Sequence, residues 1–182
     1  MRPVQKLHFV KHAQRGTALV MTLVILLLLT MLGITAINTS TLEERMAGNT
    51  KDQNLSFQAA ETVLRAAEAW VQSTTAATQL TTNNASGIYD STGVPSTTTE
   101  LWDSIDWSSP SNLVTYPGVP GAPATTSSLS EVNTQPRYII EKISIEPLSP
   151  GTRITVRITA RGTGASDTTV SMVQSTYSMT YP

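Results

Sequence analysis

The chain has 182 residues, a formal net charge of -1 and no cysteine. That length leaves room for one modest domain beyond any membrane segment. The near-neutral balance offers no clustered basic footprint for nucleic acid, and the lack of cysteine excludes disulfides, thiolate metal sites and cysteine nucleophiles.

Residues 1–16 form a basic leader with Arg2, Lys6, Lys11 and Arg15, joined by His8 and His12, and it ends on Gly16 without a single acid. From Thr17 onward no charge appears until Glu43. A helix over residues 17–37 would be about 31 Å long at ~1.5 Å per residue, enough to cross the hydrocarbon core of a bilayer. The basic flank then stays cytoplasmic, in the inner membrane, and everything after the span is exported to the periplasmic side. Three readings fit this seam: a secretory signal cleaved near Ile34 to Ala36, an uncleaved anchor, or a leader removed at Gly16 with the span retained. The apolar run exceeds the usual length of a signal core, and a helical pattern continues beyond it.

That pattern occupies residues 38–73, free of proline. Leu42, Met46, Asn49, Gln53, Phe57, Ala60, Leu64, Ala67 and Val71 recur at steps of three and four, the helical period. Leu55, Ala59, Val63, Ala66 and Trp70 widen this surface, while Glu61, Arg65, Glu68 and Gln72 form a wet side with Glu61 and Arg65 in the favourable i,i+4 order. The stripe through Leu42, Met46, Phe57, Leu64 and Val71 is the expected packing face, with Phe57, Leu64 and Val71 directed at a sheet. Gly33 and Gly48 each cost about 1 kcal/mol of helix relative to alanine and mark expected soft points.

Residues 74–136 change to Thr, Ser, Asn, Pro and Gly, which predicts long surface loops. Within them "LWDSIDW", Leu101 to Trp107, carries Trp102 and Trp107 with Leu101 and Ile105, enough apolar area to pin the loop to the helix or the sheet. Asp103 and Asp106 lack the alternating oxygen ligands and the glycine of a calcium loop, so no metal is expected. The Ser and Thr hydroxyls read as solvated loop residues.

Three β-rich runs close the chain over residues 137–182: Arg137 to Ile145, Arg153 to Thr159 and Thr168 to Tyr181. Ile154, Val156 and Ile158 alternate inward against Arg153, Thr155 and Arg157 outward. "EPLSPG" and "RGTGASD" read as connections, with Gly162 and Gly164 as turn residues. An antiparallel meander with one greasy face and a helix with a matching stripe satisfy each other's burial, giving an α+β fold.

A basic leader ending in glycine, an apolar helix, an amphipathic extension and a small exported domain resemble the plan of type IV prepilins. The similarity is greatest to PilX-type minor pilins, through "QRGTALVMTLVILLLLTMLG", "ERMAGNTKDQNLSFQAAETVLRAAE", "YIIEKIS" and "RITVRITARGTGASDTTVSMVQSTY". The resemblance implies a long N-terminal helix packed on a C-terminal antiparallel sheet, cleavage after Gly16 by the prepilin peptidase, and methylation of the new amino group of Thr17. Implied partners are other minor pilins, the major pilin, the prepilin peptidase, the inner-membrane assembly platform and membrane lipid, ending in a cell-surface pilus. Pilins usually carry Phe at the first mature position and Glu at the fifth; here these are Thr17 and Met21. The family's carboxylate pairs with a neighbouring subunit's terminal ammonium, and losing one partner of a fully buried pair costs about 3–5 kcal/mol. A subunit with Met21 therefore suits scarce positions that prime or tip assembly, with a contribution to adhesion or aggregation.

No enzyme is expected, and no cofactor. The only histidines, His8 and His12, lie in the leader, which leaves the exported part without a Ser-His or His-metal site. "RGTGAS" lacks the following helix and lysine of a phosphate loop, and nothing positions Glu100, Asp103, Asp106 or Glu131 for carboxylate chemistry. Two other readings remain beside the pilin: a minor pseudopilin of a type II secretion system, which shares the architecture, and a membrane-tethered binding module presenting the Trp-bearing loop.

Overall fold

The computed structural model describes residues 15–73, 76, 78–80, 87–92, 100–120 and 128–182. The leader residues Arg2, Lys6, His8, Lys11 and His12 lie outside the described residues. The chain divides into two units, one ending at Ala47 and one spanning Gly48–Pro182.

The first unit is built by α1, whose bounds are Arg15–Val71. Leu, Val, Ile, Met and Ala dominate its first turns, and every side chain from Gly16 to Ala47 is exposed. It is long and apolar enough to cross a membrane. Its hydroxyls are satisfied locally: Thr22, Thr30 and Thr35 donate to the carbonyls of Leu19, Leu27 and Met31 at 2.8–2.9 Å. In hydrocarbon, where no water can serve, such back-bonding removes the cost of a bare hydroxyl. Gly33 is helical, as is Gly48 at the start of the second unit.

In the second unit a five-stranded sheet packs on the remainder of α1. Its strands are β1 (Ile88–Asp90), β2 (Val114–Thr115), β3 (Arg137–Pro147), β4 (Thr152–Thr163) and β5 (Val170–Tyr181). The order is β1-β3-β4-β5, with β2 also on β3. The meander β3-β4-β5 is antiparallel, whereas β1 joins β3 in parallel, Ile88 beside Ile140. A four-residue helix, α2 (Leu101–Ser104), and a 3-10 turn at Pro110–Asn112 lie between β1 and β2. Residues 74–136, read as loops, thus contribute two short strands; Gly-Ile-Tyr-Asp is too brief, between polar runs, to show a period.

Burial follows the alternation of β4. Ile154, Val156, Ile158 and Ala160 face α1 with Tyr138 and Ile140 of β3, and they meet Val63, Ala67, Trp70 and Val71 in one cluster. On α1 the buried line is Ser56, Ala59, Ala60, Val63, Ala67, Trp70 and Val71; it keeps Ala60, Ala67 and Val71 of the predicted stripe and its widening residues Ala59, Val63 and Trp70, and is centred on Ser56 and Val63 where the stripe had Phe57 and Leu64. Phe57, expected to face the sheet, is 48% exposed. Small residues occupy the contact because the sheet comes close. Gly162 lies inside β4, where an added Cβ would collide with the Ser56 carbonyl oxygen and the Ala60 nitrogen, and one on Gly164 would collide with Asp52. The expectation that both glycines serve a turn is corrected for Gly162: it is a strand residue against a helix backbone. Asp52 Oδ1 also accepts the Ala165 N–H at 2.6 Å, tying the β4–β5 connection to α1. Contacts to the side chain of Thr169 and the backbone of Ala165 and Ser166 hold the Asp52 carboxyl below its ordinary pKa.

Candidate functional site

Gly16, Thr17 and Met21 sit on consecutive turns at the start of α1 with their side chains exposed; Met21 is 69% accessible. Around Met21 the exposed neighbours at helical spacing are Thr17, Ala18, Val24 and Ile25. The site is therefore a thioether on an uncharged apolar surface.

The five residues of the predicted packing stripe separate into two classes. Leu42, Met46 and Phe57 are exposed apolar side chains. Val71 is 1% exposed and Leu64 packs at the edge of the same cluster, so these two serve the protein's own core. The wet side is as expected, with Arg65 and Glu61 paired at 2.6 Å; that contact raises the Arg65 pKa.

The sheet face opposite α1 is polar and carries the tryptophan segment. Arg157 of β4 binds Glu141 of β3 through two contacts of 3.0 and 3.1 Å and also pairs with Glu100, at the start of α2. Glu141 has 1% of its side chain exposed. These carboxylates raise the Arg157 pKa, Glu141 first. Farther along, Arg137 donates from Nη1 to the Trp107 carbonyl, and Trp107 Nε1 donates to the Trp102 carbonyl at 2.9 Å. The segment is thus fastened to the sheet by two arginines, with its tryptophans half-buried; sequence had given only the apolar part of this attachment. At the core-facing position, Lys142 reaches Asp90 of β1 at 2.9 Å and is almost wholly buried.

Asp106 serves its own turn, accepting from the Ser108 backbone N–H at 2.9 Å and the Ser108 hydroxyl at 2.5 Å. Asp103 and Glu131 are exposed. Among the described residues no group of three His, Cys, Asp or Glu side chains is placed to hold a metal ion.

An apolar spanning helix, a small-residue seam between helix and sheet, and an antiparallel meander are all on view. The family description "PilX N-terminal" matches residues 15–65, and "Type IV pilus assembly protein PilX C-term" matches residues 44–179. The chain belongs to the PilX family of type IV pilus assembly proteins. No curated protein and no solved structure matches it. Membership gives the chain the role of a minor pilin, a structural component acting with other parts of the pilus, and α1 supplies its membrane anchor. The PilX C-terminal match spans the middle of the chain, including the Thr- and Ser-rich stretch where the sequence alone carried no resemblance.

Proposed function

We propose that this PilX-family subunit is a low-copy component that primes or caps a type IV pilus, processed after Gly16 and methylated on Thr17. The observation that carries this reading is Met21. It stands at the position where pilins usually hold a glutamate, on a helix surface that offers no other carboxylate from Thr17 to Leu42. Inside a fibre the amino terminus of an adjoining subunit would meet a thioether, a weak acceptor, in apolar surroundings. At a tip or in a small priming complex that mismatch is avoided or occurs once.

Leu42, Met46 and Phe57 extend the reading. Together they supply exposed apolar area beyond the length a bilayer core requires, which suits packing against neighbouring pilin helices. Other minor pilins, the major pilin and the inner-membrane platform are the partners this implies, with the leader cytoplasmic and the C-terminal unit periplasmic before assembly. Adhesion or aggregation would follow from display at a fibre end.

Quantitative mass spectrometry of sheared filaments, with pili counted by electron microscopy in a deletion strain, tests the proposal. The expected result is a chain present at a few copies per fibre, and fewer pili of unchanged composition on deletion. Recovery of this chain as the majority subunit would overturn it.

A further inference from the structure

Beyond assembly, and independently of the priming reading, one cavity on the polar face of the sheet has the chemistry of a ligand site. Arg137 and Arg161 are direct partners across β3 and β4, so two guanidiniums stand side by side where like charges repel. They line a cavity of about 240 Å³ with Trp107, Ser108, Thr134 and Asp167. Arg137 spends Nη1 on the Trp107 carbonyl, while its buried Nε has no hydrogen-bond partner among the described residues. The side chain of Arg161 forms no hydrogen bond or salt bridge among the described residues. Asp167, the one carboxylate among the described residues lining the cavity, accepts the Thr134 hydroxyl at 2.6 Å and lies beyond ion-pair distance of both arginines. Desolvation and then Arg137 lower the Arg161 pKa, with Asp167 acting the other way. Asp106, next to Trp107, also feels the Arg137 charge but is held by Ser108.

We infer that this cavity binds a carboxylate-bearing sugar ring, the carboxylate between Arg161 and Arg137 and the ring against Trp107. A planar guanidinium fork matches a carboxylate bidentately, and an anion placed here relieves the repulsion between the two arginines. The indole of Trp107 is fixed by its bond to the Trp102 carbonyl, which gives a preset apolar wall. Ser108 and Thr134 bring hydroxyl oxygens for ring hydroxyls. The volume lies below the roughly 300–1,000 Å³ of sites for drug-sized ligands, a size for one ring rather than an extended chain.

The test is isothermal titration of the full-length protein in detergent with D-glucuronate, D-glucose and acetate at fixed ionic strength. Saturable binding of glucuronate, at least tenfold tighter than glucose or acetate, is expected. Arg161→Gln should weaken it at least tenfold, whereas Arg153→Gln, on the same strand beside Glu146, should leave it unchanged. Asp167→Asn removes the opposing charge and keeps an acceptor for Thr134, so it should tighten binding several-fold, a gain that misfolding cannot imitate. Equal affinity for glucose or acetate, an unchanged Arg161→Gln variant, or weaker binding by Asp167→Asn would each overturn the inference.

Discussion

The phenol of Tyr181, the last residue of β5, donates a 2.6 Å hydrogen bond to the carbonyl oxygen of Val71, the last residue of α1. The final carbonyls of a helix have no partner within it, and here one of them is buried against the sheet and satisfied from 110 residues away. Tyr181→Phe keeps the ring and strips the donor, leaving the buried carbonyl unpaired, at a cost of about 1–3 kcal/mol. Thermal denaturation in detergent, followed through the β-sheet signal, should show the lowered midpoint.

Gly162 predicts a larger defect from a single methyl group. In Gly162→Ala the new carbon meets backbone atoms of Ser56 and Ala60, which cannot swing aside as a side chain would. Overpacking of this kind costs about 1–3 kcal/mol. Gly48, where an added Cβ meets nothing within 4 Å, offers a comparison: the same substitution there should leave the helix–sheet contact intact, and Asp52 and Ser56 should keep their amide protection.

Leu64 and Phe57 should respond oppositely in two assays. Leu64→Ala opens space at the edge of the core, and its loss should fall near the low end of the roughly 2–5 kcal/mol seen for buried leucines. Phe57→Ala should stay within about 0.5 kcal/mol of the parent, as an exposed change does. In return, Phe57→Ala should lower the amount of the chain recovered with pili, measured by immunoblot of sheared fractions. An unaltered yield would remove Phe57 from the packing surface.

Acid should act through Asp90. Hydrogen bonds from the Thr92 side chain, then Lys142 and the Thr92 backbone, depress its carboxyl to about 2 from the ordinary 3.8. A depressed folded-state value means that folding favours the ionised form, so the contribution is complete above about pH 4 and fades as the pH falls through about 2. Asp90→Asn should therefore flatten the dependence of the melting midpoint on pH over that window. At neutral pH it should cost about 1–3 kcal/mol, between the values for exposed and fully buried pairs, because Asp90 is 37% exposed while Lys142 is buried.

Gly16 carries the processing prediction. N-terminal sequencing of protein from membranes should begin at methylated Thr17, and Gly16→Leu should leave the leader attached, since a bulky side chain obstructs a protease that grips extended backbone. An unprocessed Met1 end in cells with active peptidase would remove the assignment, as would an end near Asn38.

Much of the fold was open to reading because it rests on period. Ile154, Val156 and Ile158 alternate as one face of a strand, and the uncharged run after Gly16 is long enough to cross a bilayer core. Phase was harder. On α1 the buried line is made of Ser56, Ala59, Ala60, Val63 and Ala67, and weighting residues by hydrophobicity drew the stripe toward Phe57 and Leu64. What selects the small face is Gly162, more than a hundred residues away, and "RGTG" looks locally like a turn. The polar sheet face was illegible for a similar reason: Arg137 and Arg161 become neighbours only through the β3–β4 register, and Glu100 reaches Arg157 from a segment whose composition reads as loop.

The seam between Gly162 and Ser56 also has a mechanical meaning. Tension entering this unit along α1 from its N-terminal side meets the sheet at Asp52 and Ser56. There the helix is joined to the end of β4 and the start of β5 by close backbone contact, by the Asp52–Ala165 bond and by the 2.6 Å contact between the Ser56 and Ser171 hydroxyls. Load is handed to the two longest strands at their shared turn, where it is opposed by the full β4–β5 ladder from Thr163 and Val170 to Thr152 and Tyr181. The Tyr181 end, bonded to Val71, lies at the far end of that ladder.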